Sequence, residues 1–395
     1  MKKIGFVTPW YGANIPGGAE MELRGLAEHL AENHVDLEVL TTCVEKFNSD
    51  WNTNFYPEGT EEINGVLVRR FQVRKRDTKR FDQINYKFMK NLPVTIEEED
   101  LYLKEMVNSP RLYQYMEEQK DAYSLFVFIP YMFGTTYYGC EKCPDQAVMI
   151  PCLHDESYAY MRRFKERYSG IKGMIFHSKA ESVLANKIYS LSQVKNEVLG
   201  EGLYTDISSN ADNFRKKYKI DDPFIIYAGR KEAGKNVDTL VKYFGEYKKR
   251  NRLDLKLILI GGGSIQIPKD LKHDVLDLGF VPIQDKYDAY SAAEMLCNPS
   301  RFESFSLIIM ESWLCGRPVI VYGGCEVTKG FVSESNGGLY FYDFYEFEAC
   351  VNYILEHKET AGVMGENGRK YVMDNFSWPT IVKRYTEFFK QCAGE

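Results

Sequence analysis

The sequence predicts an α/β fold made of two consecutive, doubly wound units. Three observations carry this. Short apolar runs alternate with amphipathic stretches along the chain, the pattern of parallel strands covered by helices on both faces. The alternation starts afresh after the polar stretch Tyr204–Asp222, rich in Ser, Asn, Asp and Lys. And 395 residues suit two domains of ordinary size.

In the first unit, Ile4–Thr8, Leu37–Thr41, Gly65–Val73, Leu125–Pro130, Ala147–Leu153 and Gly173–His177 read as strands. Gly18–Asn33, Pro110–Lys120, Ser157–Tyr168 and Lys179–Ser190 read as helices between them. In the second unit the strands are Phe224–Ala228, Leu255–Ile260, Val275–Gly279, Met295–Asn298, Pro318–Tyr322 and Gly338–Phe341. Helices fill the gaps at Val237–Arg250, Gln284–Ala293, Phe305–Cys315 and Asp343–His357. The last helix, Trp378–Cys392, is entered through Ser377-Trp378-Pro379, where proline suits a first turn. The expected domains are residues 1–205 and 206–377, with 378–395 as a terminal helix.

Composition narrows the function classes. Hydrophobic residues at 44% and charged residues at 27% exclude a disordered tail or a collagen-like repeat. A formal charge of −6 gives no basic field for nucleic acid. No apolar run approaches the roughly 20 residues that span a bilayer. Met1-Lys2-Lys3 resembles a signal n-region, but the apolar stretch after it ends at Pro9-Trp10-Tyr11-Gly12, so a cytoplasmic protein is expected. The nine cysteines are odd in number, scattered and mostly within apolar segments, which fits reduced thiols. Cys140 and Cys143, with Cys152 nearby, lack the second pair that zinc sites of this spacing use, so no metal is expected. Residues 69–90 hold nine Lys/Arg against two Asp, interleaved with Phe71, Phe81, Tyr86 and Phe88. Two readings stand: a solvated, partly mobile insertion, or a surface for an anionic acceptor or a lipid headgroup layer.

Open α/β sheets bind ligands at the carboxyl ends of their strands, which directs attention to five turns. Pro16-Gly17-Gly18 opens a helix, where paired glycines serve either an approaching anion or a plain turn. It is not the GxGxxG dinucleotide pattern. YAGRKEAGK places Arg230 at a strand end and Lys235 just before a helix; such cations hold a diphosphate or decorate a loop. Gly261-Gly262-Gly263 follows an apolar strand, for close backbone approach or for turning. In RFESFSLIIMES, Glu303 precedes a helix whose first N–H groups come from Ser304, Phe305, Ser306 and Leu307. Glu311 lies two turns further on in an apolar helix and needs a partner, for which sugar hydroxyls would serve. His154 ends the strand Ala147–Leu153, placed either for an active cleft or as a hydrogen-bonded histidine beside a capping Asp155.

Together these residues resemble the retaining glycosyltransferases of GT-B fold in the large family four, the glycosyl transferases group 1. The resemblance covers nearly the whole chain and is densest in Phe224–Ser377. Its most specific mark is E-x(7)-E, here Glu303 to Glu311, supported by YAGRKEAGK, LHDES, FHSKAESVL, Gly200-Glu201-Gly202 and FSWPTIVKRY in family order. The family fold implies two Rossmann-like domains facing across a cleft, with the last helix crossing back onto the first. It implies donor-diphosphate contacts from Arg230 and Lys235, donor-sugar contacts from Glu303, and ribose contacts from Glu311. Amides of Ser304–Leu307 would bind phosphate and sugar. Gly17 and Gly18 would face the diphosphate, Gly262 would line the donor, and Phe280 and Val281 would flank the base. His154 would approach the reacting sugar carbon. The implied reaction transfers a sugar from a UDP- or GDP-linked donor to a hydroxyl of a glycan or lipid-linked acceptor. No cofactor or metal takes part, and acidic Asp-x-Asp pairs at a strand end are not apparent. Two rival activities use the same site: a sugar-nucleotide epimerase, or a non-catalytic nucleotide-sugar-binding subunit. The stretch Thr53–Glu99 matches nothing in the family pattern.

Overall fold

A computed structural model describes residues 2–251 and 253–395. The chain forms two compact units: unit 1, up to Gly202 together with Trp378–Glu395, and unit 2, Leu203–Ser377.

Unit 2 is a six-stranded, all-parallel sheet of β9 (Phe224–Ala228), β10 (Lys256–Ile260), β11 (Val275–Gly279), β12 (Met295–Asn298), β13 (Val319–Tyr322) and β14 (Gly338–Phe341). Its order, β11-β10-β9-β12-β13-β14, is that of a Rossmann sheet, with the direction of winding reversing between β9 and β12. The central strands carry almost uninterrupted apolar sequence, FIIYA in β9, because helices cover both faces. Register runs Ile225 opposite Leu257 on one side of β9 and opposite Met295 on the other.

Unit 1 holds eight strands: β1 (Lys3–Val7), β2 (Leu37–Thr42), β3 (Gly59–Ile63), β4 (Val66–Phe71), β5 (Tyr123–Phe128), β6 (Ala147–Met149), β7 (Gly173–Phe176) and β8 (Lys195–Val198). The order is β3-β4-β2-β1-β5-β6-β7-β8, parallel except for the β3–β4 hairpin at one edge. Both edge strands lie outside the sequence-based expectation. GTEEI and KNEV are polar, since an edge strand buries little and its charges deter further pairing.

Three expectations are corrected. Residues 69–90 are not a solvated insertion: β4 is the third parallel strand, and a helix, Thr78–Met89, buries Phe81, Ile84 and Phe88 in the unit 1 core. Phe81 stacks on Tyr102 with centroids 4.7 Å apart. Lys79, Arg80 and Lys90 are exposed, as is Tyr86, whereas Arg70 is buried and donates to the Tyr11 carbonyl at 2.9 Å. The stretch Tyr204–Asp222 is not a plain linker either. It contains the helix Ala211–Tyr218, capped by Asn210, whose Phe214 is buried against Phe224. The helix expected over Ser157–Tyr168 is split into a 3-10 turn, Ser157–Tyr160, and a helix, Arg162–Tyr168.

The terminal helix, Trp378–Ala393, belongs to unit 1. Trp378, Ile381, Val382, Tyr385, Phe388, Phe389 and Cys392 recur at helical spacing and form its buried stripe. Phe389 meets Phe6 edge-on, and the Tyr385 hydroxyl donates to the Gly200 carbonyl at 3.0 Å. Trp378 lies flat over Gly25 and Gly202, where a Cβ would collide with its ring.

Phe81→Ala is expected to destabilise the protein by about 3–5 kcal/mol in urea unfolding, the usual cost of deleting a buried phenyl. Tyr86→Ala, on the same helix but outside the core, should leave the midpoint essentially where it was.

Candidate active site

Where a parallel sheet reverses its winding, the connections leave to opposite faces and open a crevice at the strands' carboxyl ends. In unit 2 the turns after β9 and β12 meet there. Arg301 N donates to the Gly234 carbonyl at 3.1 Å, and Asn236 Nδ2 donates to the Pro299 carbonyl at 3.2 Å. Lys235 Nζ lies 2.9 Å from Glu303 Oε1, with side chains only 23% and 10% exposed. This sheltered pair is the centre of the site.

The turn after β12 is held in an unusual shape. Ser306 caps the helix Leu307–Leu314 with φ 88° and ψ 75°, a left-handed conformation rare for serine. Asn298, buried at the end of β12, fixes it. Its Nδ2 donates to Ser306 Oγ at 2.9 Å and approaches Glu303 Oε1 at 3.4 Å, while its Oδ1 accepts from Ser300 N at 3.0 Å. The first amides of the helix carry partial positive charge and no intrahelical partner. Phe305 contributes through its backbone alone, because its ring is buried edge-on against Phe331 and Phe376. Ser304 and Leu307 are half-buried beside it.

The glycine turn after β10 is required by close packing. Gly261 has φ 117°, and a Cβ there would strike the Gly229 carbonyl oxygen. Gly262 lies against the Phe280 ring, at 2.7 Å from a notional Cβ. Phe280 is 86% exposed, a large ring presented to solvent at the end of β11 with half-buried Val281 after it.

The three cations of the β9 turn differ sharply. Arg230 is 66% exposed and pairs with Glu232 at 3.2 Å. Lys231, absent from the sequence-based set, is buried. Its Nζ sits 2.9 Å from Asp277 Oδ1 and hydrogen-bonds the Gly261 carbonyl. Asp277, an acid within β11, was the available signal for it. Glu311, for which sugar hydroxyls are the expected partners, also has partners within the protein: Lys286 Nζ at 2.7 Å and the Tyr290 hydroxyl at 3.0 Å, both from the helix Ile283–Ala292. Burial, then the Glu311 carboxylate, hold the Tyr290 phenol well above its usual pKa, so it remains a donor.

In unit 1 the reversal falls between β1 and β5. Gly17, at φ 144°, caps the helix Gly18–Glu32. A Cβ on Gly17 would strike the Glu20 carboxylate, which accepts from Trp10 Nε1 at 2.6 Å, whereas the space beside Gly18 is open. His154 follows β6, one-third exposed, with Nδ1 3.8 Å from Glu156 Oε1. Burial raises the Glu156 carboxyl above its usual pKa, opposed by the Tyr131 hydroxyl that donates to it at 3.1 Å.

Residues 210–371, which include β9–β14 and both site carboxylates, match the family described as Glycosyl transferases group 1. An uncharacterized glycosyltransferase of Methanocaldococcus jannaschii is 26% identical over 98% of each chain. Further curated glycosyltransferases align over 30% to 47% of their own length. Among solved structures, sucrose-phosphate synthase from Thermosynechococcus elongatus superposes with a TM-score of 0.71 at 17% identity, covering 99% of each chain. The Anabaena protein HepE, solved in complex with UDP-glucose, superposes with a TM-score of 0.67 at 15% identity, over 99% of this chain and 100% of that one. These structural likenesses establish the fold.

Asn298→Ala removes the side chain that fixes the Ser306 turn and should cost about 1–3 kcal/mol in urea unfolding. Arg230→Ala, at an exposed position, should leave the unfolding midpoint unmoved in the same measurement.

Proposed function

We propose that the chain is a group 1 glycosyl transferase, the family that residues 210–371 match, and that it moves a sugar from a UDP- or GDP-linked donor to an acceptor hydroxyl with retention of anomeric configuration. The observation that carries this reading is the Lys235–Glu303 pair at the winding reversal of unit 2, beside the N-terminal turn of the helix Leu307–Leu314. The solved complex of the Anabaena neighbour with UDP-glucose supports a nucleotide-sugar donor.

The barrier in such a transfer is departure of the nucleoside diphosphate as negative charge gathers on its oxygens. Lys235 and the amides of Ser304–Leu307 stabilise that charge. Arg230 exchanges Glu232 for a phosphate oxygen, a change its exposure permits at little cost. Glu303 accepts hydroxyls of the donor sugar through oxygen valences that Lys235 leaves open. Glu311, held by Lys286 and Tyr290, accepts ribose hydroxyls, and the Phe280 ring borders the base beside Gly262 and Val281. The acceptor oxygen bonds the anomeric carbon as its bond to the phosphate oxygen breaks, and the acceptor's proton passes to that phosphate oxygen. No protein nucleophile is needed, and fixed cations take the place of a metal.

Acceptor recognition falls to unit 1; of its residues, His154 serves the reacting sugar carbon, and Gly17 and Gly18 serve the donor diphosphate. A lipid-linked or glycan acceptor fits the exposed Tyr86, Met89 and Leu92 among Lys79, Arg80 and Lys90, which supports peripheral contact with the inner face of a membrane from the cytoplasm. Among the described residues, no helix is long and apolar enough to cross a membrane.

The test is titration with UDP, GDP and their sugars, followed by turnover against a glycan and lipid acceptor panel with the product anomer read by NMR. Lys235→Ala and Glu303→Ala should each lower kcat by about 10²–10³, or roughly 2.7–4 kcal/mol, with the fold intact by circular dichroism. Turnover without added Mg²⁺ or Mn²⁺ is expected. Near-wild-type rates in either variant, or conversion of donor alone to an epimer, would overturn the reading.

A further inference from the structure

Unit 1 buries a cluster that the transfer reaction does not use. Glu22 projects from the helix Gly18–Glu32, Cys152 follows β6, and His177 follows β7. His177 Nε2 and Glu22 Oε1 are in close contact, and Cys152 Sγ is 3.6 Å from Glu22 Oε2. One donor atom from each of the three lies within 4.8 Å of the other two. The Glu22 and His177 side chains are only 4% and 0% exposed, and Cys152 is partly buried.

The surroundings match what a cation needs. Cys152 takes φ 51°, a left-handed conformation uncommon outside glycine, and its thiol lies inward on Glu22. Glu181 faces His177 Nδ1 at 3.8 Å, the carboxylate-behind-imidazole arrangement that orients a ligating histidine. Glu181 is itself fixed by the backbone amides of Leu153 and His177, each at 2.6 Å. Glu22 and Glu181, both buried, lie within 4 Å of the two His177 ring nitrogens. So two buried carboxylates flank a single imidazole. A divalent cation bound by the Glu22 carboxylate, the Cys152 thiolate and a neutral His177 is charge-neutral within its ligand set. Sulfur, nitrogen and oxygen together suit Zn²⁺.

We propose that Glu22, Cys152 and His177 form a structural zinc site, with the fourth tetrahedral position taken by water. Zinc bonds of ordinary length require a sulfur–oxygen separation of about 3.5 Å, which the Cys152–Glu22 pair already has. With the ion on Glu22 Oε2, the direct contact of His177 Nε2 with Glu22 Oε1 gives way to a nitrogen–Oε2 separation of about 3.4 Å across the ion. Binding releases the thiol proton, and any imidazolium proton, to solvent. The ion would tie the helix that begins at Gly18 to the loop that carries His154, two residues beyond Cys152.

The test uses the intact wild-type chain with Zn²⁺ and Co²⁺. Co²⁺ should bind at about one equivalent with a near-ultraviolet thiolate-to-cobalt band that Zn²⁺ abolishes. Zn²⁺ should slow alkylation of Cys152 at least about tenfold by peptide mapping, against little change at the other eight cysteines. Cys152→Ser should remove the band, and Cys140→Ser, elsewhere in unit 1, should retain it. Absence of the band in folded wild-type protein, its survival in Cys152→Ser, or unchanged Cys152 alkylation would each overturn the proposal and leave a proton-sharing cluster in its place. Because both wild-type readouts are independent of glycosyl transfer, either proposal can fail without the other.

Discussion

The reversal of winding between β9 and β12 is the constraint on which the rest of unit 2 depends. Strands on its two sides send their connections to opposite faces of the sheet, so the backbone cannot close the gap at their carboxyl ends. Side chains and turn amides close it instead. Lys235 and Glu303 come from the two flanking turns and meet across it at 2.9 Å. A sheltered pair of this kind is screened less by salt than a surface pair, and losing either partner leaves a charge with poor solvation. The same feature makes the site receptive. An incoming diphosphate meets a lysine already desolvated and fixed, so little reorganisation accompanies its binding.

Burial divides the labour among neighbouring cations. Lys231 is committed to Asp277 and the Gly261 carbonyl, and so holds the turns after β9 and β10 in register. Gly261 can make that approach only because it has no side chain and accepts φ 117°. Lys235 is half-committed, through one carboxylate oxygen. Arg230 is exposed, held only by Glu232, and is the one able to reach. Three basic residues within six positions thus do three different jobs, and the sequence pattern alone does not rank them.

What could be read from the sequence follows the same physics. Strands buried on both faces are unmistakable, and all six of unit 2 fall within a residue or so of expectation. The edge strands β3 and β8 were illegible because an edge has little to bury and reads as polar loop. The helix Thr78–Met89 was hidden by its charges. Yet Phe81, Ile84 and Phe88, at i, i+3 and i+7, are a core stripe inside the basic run. Glu303 and Lys235 were found as separate marks on two turns, and only the sheet order explains why they meet. Lys286 and Tyr290 were missed because they reach Glu311 from another helix, a contact no local pattern encodes.

How each buried carboxylate is balanced separates the two chemistries of the molecule. Glu303 and Glu311 each hold a lysine, and in unit 1 Glu38 holds Lys3 and Arg69 as well as the Tyr123 hydroxyl. Glu105 holds Arg74 and the Asp77 amide, and Glu99 takes two backbone amides. In each case a cation or oriented dipoles offset the cost of removing the charge from water. Glu22 differs: its partners are an imidazole and a thiol, with the Glu181 carboxylate at the other nitrogen of that imidazole. Neither partner carries a permanent charge. Neutrality there must come from protons or from an ion, and of the two only an ion also makes use of a thiol held inward by a left-handed backbone.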